Sequence, residues 1–215
     1  MEHGSTKPKL VMYGCGGHGK VVADIALSRG LAVAGFVDDG APEGSRVLGL
    51  PVLGGAGWLE AHHSEIGVAL AIGEKHARHR VYQMCNTLRV TLVTLIHPSA
   101  TVAASARIGA GVVIMANAVV NPDARIGDGA IINSGAIVEH DCEVGAFAHL
   151  APNATLGGAV RIGALAHVGL GACVLPGLTV GQDAMVGAGA VVVTEVPPGV
   201  VVVGVPARLH RSSRR

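Results

Sequence analysis

Three groups of residues in this 215-residue chain are of types that can do chemistry. The first is Val138-Glu139-His140-Asp141-Cys142. An imidazole near its ordinary pKa of about 6.5 takes up and releases a proton near neutrality, so His140 suits proton removal from a reacting group. The second is His149 and His167, 18 residues apart. The third is Gly14-Cys15-Gly16-Gly17-His18-Gly19, a GxGxxG run. Its glycines allow a tight turn and close backbone approach to a phosphate at a helix N-terminus. The four cysteines (Cys15, Cys85, Cys142 and Cys173) form no CxxC. No Ser or Cys stands in a recognisable nucleophile motif, so no acyl-enzyme is expected.

The elements that position the histidines are set by a repeat. From Ile96 to Val191, every sixth residue is aliphatic, through Val102, Ile108, Ile114 and Val120 to Val180 and Val186. The second position of the hexad is often Gly (Gly109, Gly127, Gly145, Gly163, Gly169, Gly181), and the fifth is small (Ala118, Ala124, Ala130, Ala136, Cys142, Ala148). A period of six fits neither an α-helix nor a flat sheet, but it is the signature of a parallel β-helix. Position one fills the interior and position five sits where the wall is crowded. Gly at position two is expected to supply backbone angles that a Cβ would resist. With three hexads per coil and about 4.8 Å per strand spacing, the prism is expected to be about 25 Å tall. His149 and His167 both hold the sixth position and should stack one coil apart on one face, whereas Cys142 should be a packed thiol.

The first 95 residues read differently. KLVMYG (9–14) is a buried strand, followed by the glycine loop and an amphipathic helical run, KVVADIALSRG. A second strand, 31–37, ends at Asp38-Asp39, about twenty residues past the loop, where a ribose hydroxyl would be recognised. Pro51–Gly54 predicts a short strand, Trp58–Ala61 a short helix and 66–72 a strand; a helix to about Arg89 follows, with Arg78 in its first turns, and TLVTLI (91–96) reads as one last strand. The expected fold is therefore a small Rossmann-like α/β domain with a parallel sheet (1–95), then a β-helix domain with its tail (96–215). The first domain is about half a full dinucleotide domain, which points to a mononucleotide or nucleotide-sugar site rather than NAD.

Composition narrows the partners. Half the residues are hydrophobic but only 2% are aromatic, and the formal net charge is +1. Neither a basic footprint nor an aromatic stacking platform for nucleic acid is present. The basic residues Arg208, Arg211, Arg214 and Arg215 read as a short solvated tail. Residues 162–182 lack Asp, Glu, Lys and Arg, but five glycines, Pro176 and the unbroken hexads argue against a membrane span. MEHGSTKPK has no apolar core of a signal peptide, so a cytoplasmic enzyme is expected.

Aliphatic-Gly-x-x-small-x hexads resemble the left-handed β-helix of the hexapeptide acyltransferases. The order GxGGHG, then VEHDC, then Gly204-Val205-Pro206-Ala207 resembles, over nearly the whole chain, the NeuD/PglD family of sugar acetyltransferases. The resemblance implies a homotrimer that uses acetyl-CoA, bound in the groove between neighbouring β-helices, with an N-terminal domain that holds the nucleotide of a sugar nucleotide. It implies His140 as the base and Asp141, one methylene shorter than the Glu of some relatives, as the acid that orients it. It places Asn133 near the acceptor sugar, and His149, Leu170 and Ala188 against acetyl-CoA. It places Gly16, Gly17 and His18 at the diphosphate, Asp38 and Asp39 at the nucleoside, and Gly73 at another substrate contact.

The acceptor implied is the amine of a 4-amino-4,6-dideoxysugar on GDP or UDP, as in GDP-perosamine or a bacillosamine precursor, attacked directly in a ternary complex. A neutral amine can attack a thioester unaided once positioned, whereas a hydroxyl needs a base in the transition state. The alternatives are O-acetylation of the sialic acid type, a non-catalytic trimeric scaffold that binds nucleotide sugars, and a γ-class carbonic anhydrase. The spacings of His140, His149 and His167 do not resemble the zinc ligands of that last class, and no metal is expected.

Overall fold

The computed structural model describes residues 9–210, so the segment MEHGSTKP and the basic residues Arg211, Arg214 and Arg215 lie outside the described residues. The chain divides between Val93 and Thr94 into two compact units.

In the first unit β1 (Lys9–Tyr13) is followed by α1 (Gly17–Ser28) and β2 (Val33–Val37). Then come β3 (Arg46–Val47), β4 (Leu50–Gly54), α2 (Ala56–His62), β5 (Ile66–Leu70), α3 (Lys75–Thr87) and β6 (Thr91–Leu92). The sheet order is β3-β4-β2-β1-β5-β6. All pairs are parallel except β3 with β4, a hairpin that the sequence did not suggest because its strand is only Arg46–Val47. The central strands are apolar on both faces, as a sheet covered by helices requires: Val11, Met12, Val68, Ala69 and Leu70 are fully buried.

The second unit is the left-handed parallel β-helix. Strands of two residues stack with a shift of 18, for example Val113 on Ile131 and Ile131 on His149. The aliphatic position-one residues and the small position-five residues form one continuous core that includes Ile114, Ala118, Val138, Cys142, Leu156 and Ala172. Three faces result. The outward residues of the first include His149, His167 and Met185, those of the second Val119, Ile137, Thr155 and Cys173, and those of the third Arg107, Arg125, Glu143 and Arg161.

Two expectations are corrected. Residues 91–96 are not one strand: Val93 N donates to Val68 O in the first unit, whereas Thr94 Oγ1 donates to Gly109 O in the second, so Thr91–Leu92 and Leu95–Ile96 join different sheets. The glycines at position two do not supply unusual backbone angles. The left-handed residues stand at position four, as Asn117, Asp123, Asp141, Asn153 and Asp183. At position two the need is room: a Cβ on Gly127 would lie 2.6 Å from Ala146 N, and one on Gly169 2.7 Å from Ala188 N. The next coil's backbone passes there at contact distance.

After Val191 the chain leaves the hexads. Val201–Val203 continues the first face in parallel, pairing Met185 with Val201, a shift of 16 rather than 18. Arg208–Leu209 then folds back antiparallel on Val202 and Val203.

Candidate functional site

His140 and Asp141 form the turn between the second and third faces. Asp141 occupies position four with φ 59°, a conformation that Asp tolerates better than most side chains. Its Oδ2 lies 2.8 Å from His140 Nδ1, and both side chains are 61% exposed. A carboxylate only accepts, so Nδ1 carries the proton and Nε2 is the basic nitrogen. The hydrogen bond to Asp141, its charge and that of Glu139 raise the imidazole pKa above its ordinary value. The shorter acid therefore does reach the ring. Cys142, next in sequence, is buried with its thiol 3.2 Å from Gly157 O, and burial raises its pKa.

His149 and His167 stack on the first face as adjacent partners, with ring centroids 4.9 Å apart and nearly perpendicular. Asn133 Oδ1 accepts from Ser134 N at 2.8 Å, which directs Nδ2 to His149 Nε2 at 3.0 Å. The Nε2 lone pair of His149 is thus used as an acceptor, and this histidine is not the proton acceptor at that atom. Leu170, 58% exposed, and Ala188, also exposed, stack at the turn between the first and second faces; Gly189 N donates to Leu170 O. So Asn133, His149, Leu170 and Ala188 lie along one edge of the prism, and His140 with Asp141 lies along the next. Face two separates them, and within a single chain they do not converge.

In the first unit the glycine loop opens α1. Gly16 caps the helix and Gly17 begins it, and a Cβ at either would meet nothing within 4 Å. The backbone at this helix start is exposed and leaves room for close approach, and a helix start of this kind can receive phosphate. Gly19 is different: a Cβ there would strike Gly14 O. His18 lies against Gly73, whose own Cβ would stand 3.7 Å from it. Burial, and then the Arg78 guanidinium, push the His18 pKa down to about 4, so this imidazole is neutral at physiological pH. Arg78 was missed as a site residue. It is fully buried and donates to Ile72 O at 2.9 Å and Gly73 O at 2.8 Å, holding the loop that carries Gly73. Nothing in the pattern of a polar helix marks one of its arginines as buried.

The two acids after β2 are engaged within the domain. Asp38 accepts from Cys15 N at 2.8 Å and Gly40 N at 2.9 Å, tying the glycine loop to the end of β2, and those amides hold its pKa below the usual carboxylate value against the cost of burial. Asp39 accepts from Tyr13 Oη at 2.7 Å and from Ala56 N at 2.8 Å, at the start of α2. Each carboxylate keeps unused acceptor capacity. Tyr13, Asp39, Ile72, Ala77, Arg80 and Met84 border a cavity of about 270 Å³, of a size to admit a planar ring.

Among the described residues no three His, Cys, Asp or Glu side chains are placed to share a metal ion, and no helix is long and apolar enough to cross a membrane.

Comparison with known proteins matches both units. A family model of the PglD N-terminal domain matches residues 9–85, and the bacterial transferase hexapeptide model of six repeats matches residues 105–140 and 123–158. PerB from Caulobacter crescentus, solved with CoA and GDP-perosamine, is 42% identical over 94% of this chain and 97% of its own, with a TM-score of 0.90, and mutants of this GDP-perosamine N-acetyltransferase match equally well. The acetyltransferase domain of PglB from Neisseria gonorrhoeae, solved with acetyl coenzyme A, is 41% identical over 95% of this chain and 100% of its own, with a TM-score of 0.90. WeeI from Acinetobacter baumannii is 28% identical over 94% and 99%, with a TM-score of 0.86.

Proposed function

Because this chain belongs to the NeuD/PglD family of hexapeptide-repeat sugar acetyltransferases, we propose that it transfers the acetyl group of acetyl-CoA to the 4-amino group of a nucleotide-linked 4-amino-4,6-dideoxysugar. The observation that carries the chemistry is the His140–Asp141 pair, with Nδ1 engaged at 2.8 Å on a side chain that is largely exposed. The amine lone pair adds to the thioester carbonyl carbon while His140 Nε2 takes an amine proton. Collapse of the tetrahedral adduct breaks the C–S bond, and the departing thiolate takes that proton to leave as CoA thiol. Asp141 holds the imidazole in the Nδ1–H tautomer and steadies the imidazolium during the step.

The remaining residues bind. The exposed glycine backbone at Gly16 and Gly17, with the neutral imidazole of His18, suits a diphosphate. The cavity bordered by Tyr13 and Asp39 suits the base, and Gly73, held by Arg78, lies alongside. Exposed Leu170 and Ala188 offer an apolar edge to the pantetheine arm of acetyl-CoA, with His149 and Asn133 beside it. The edge carrying His140 and the edge carrying His149 are separated within one chain, so the complete site needs a second copy. A homotrimer, whose second faces carry Val119, Ile137 and Cys173 outward, supplies one. The GDP-perosamine specificity of the Caulobacter relative makes GDP-perosamine the first acceptor to try, ahead of the UDP-linked bacillosamine precursor.

The test is thiol release from acetyl-CoA with a panel of GDP-, UDP- and CMP-linked sugars. Turnover with a 4-amino sugar nucleotide and none with CMP-sialic acid is expected. Turnover with a hydroxyl acceptor only would replace this reading with O-acetylation. Tight binding of sugar nucleotide without thiol release from any acceptor would replace it with a binding scaffold.

A further inference from the structure

The column of turn residues through His140 runs Pro122, His140, Gly158 and Pro176, one per coil, each 18 residues from the next. Its backbone ladder is regular: Asp141 N donates to Pro122 O, Ala159 N to His140 O and Gly177 N to Gly158 O. The left-handed residues of these turns are Asp141, Ala159 and Gly177, so Gly158 does not occupy the position that calls for a positive φ. Yet a Cβ built on Gly158 would lie 2.6 Å from both Cε1 and Nε2 of His140 and 3.4 Å from Cδ2. The imidazole lies across the bare Cα of the next coil. The preceding glycine has a separate cause: a Cβ on Gly157 would stand 2.7 Å from Cγ and Cδ of Pro176. The Gly157-Gly158 pair thus does two jobs, one for the packing of the next coil and one for the ring of His140.

We propose that Gly158 is a positioning residue: the bare Cα there is the floor on which the His140 ring rests, and together with the Asp141 carboxylate it sets the direction of Nε2. The ring has two constraints. Asp141 fixes Nδ1 from one edge and Gly158 admits the opposite edge. A methyl group at 158 leaves the turn free to form but turns the ring about its side-chain torsions, and the Nδ1–Oδ2 contact of 2.8 Å is lost with that rotation. The inference rests on the acetyltransferase reading for its effect on rate, but the ring geometry it describes stands apart from any reaction.

The experiment is Gly158→Ala, alone and combined with His140→Asn, in the full-length protein with histidine side chains labelled for NMR. In the wild type an NOE between His140 Hε1 and a Gly158 Hα is expected, and its absence overturns the proposal before any variant is made. In Gly158→Ala the titration midpoint of His140 falls back toward the ordinary histidine value, because the Asp141 hydrogen bond that raises it is broken. With a turned-over acceptor, kcat falls about 10–100-fold while the acceptor KM changes little, the cost of displacing a reacting group by about an ångström. In the His140→Asn background the same glycine change costs nothing further, since two residues that act through one group are not additive. An unchanged midpoint and kcat in Gly158→Ala, or an equal loss in both backgrounds, overturns the proposal. If no acceptor is turned over, the function proposed above fails, and the NOE and titration still decide the role of Gly158.

Discussion

His140 and His18 occupy the two halves of the molecule in opposite environments. His140 stands on an exposed turn with a carboxylate 2.8 Å from Nδ1, and its pKa is raised. His18 is half-buried at the start of α1, and desolvation with the Arg78 charge lowers its pKa to about 4. The first can cycle between neutral and charged forms near neutrality. The second is held neutral throughout the physiological range, so it can donate or accept a hydrogen bond but does not move a proton there. A chain with several histidines has thus divided proton transfer from binding by local environment alone: one carboxylate at a turn, one buried cation under a loop.

The comparison breaks most sharply at His140. His140→Asn should lower kcat about 10²–10⁴-fold, the usual contribution of a general base, with the melting temperature unchanged because the side chain is exposed; a loss below tenfold would mean that the amine arrives neutral and the site works by positioning. Arg78→Met should come next, destabilising the first unit by about 3 kcal/mol in urea titration, since it strips a buried donor from Ile72 O and Gly73 O. In that variant the His18 midpoint should rise from about 4, whereas an unchanged midpoint would leave burial as the sole cause. The third effect is a pH dependence. Between about 6.5 and about 4 the unfolded chain binds a proton at His18 that the folded chain refuses, so stability falls as pH falls through that window and levels below it. The loss is about 3 kcal/mol, and it should disappear in His18→Gln when the two unfolding curves are subtracted. Smallest is Asp141→Asn, which keeps the turn and removes the charge. The inflection of kcat/KM with pH, expected above the ordinary histidine value in the wild type, should move down toward it.

The two halves were also unequally legible in the sequence. The β-helix interior admits one aliphatic side chain per hexad, so Ile96 to Val191 spells out strands, coils and the stacking of His149 on His167. What escaped was the cause of the punctuation. Gly recurs at position two, where it makes room for the next coil, but the turn itself is made at position four by Asn, Asp, Gly and even Phe147 and Leu165, a set too mixed to stand out. The Asn133–His149 contact was hidden because its partners are 16 residues apart and meet only when two coils stack. In the first unit the order of strand, glycine loop, helix and acid was readable. That Asp38 and Asp39 also brace Cys15, Gly40, Tyr13 and Ala56 was not, since a pair of acids after a strand looks alike whether it faces a ligand or its own backbone.

The closing turn of the prism has a consequence for the fate of the protein in concentrated solution. A stack of parallel coils ends in a row of unpaired amides and carbonyls, a ready seed for fibre growth by a second prism. Here the final coil is shortened, and Arg208–Leu209 crosses it antiparallel, out of step with every strand beneath. An incoming coil finds neither the direction nor the phase it would need to continue the stack. Ending the chain after Val203 removes only Ala207 from the continuous core and should convert a discrete particle into one that elongates, visible as a rise in light scattering with time.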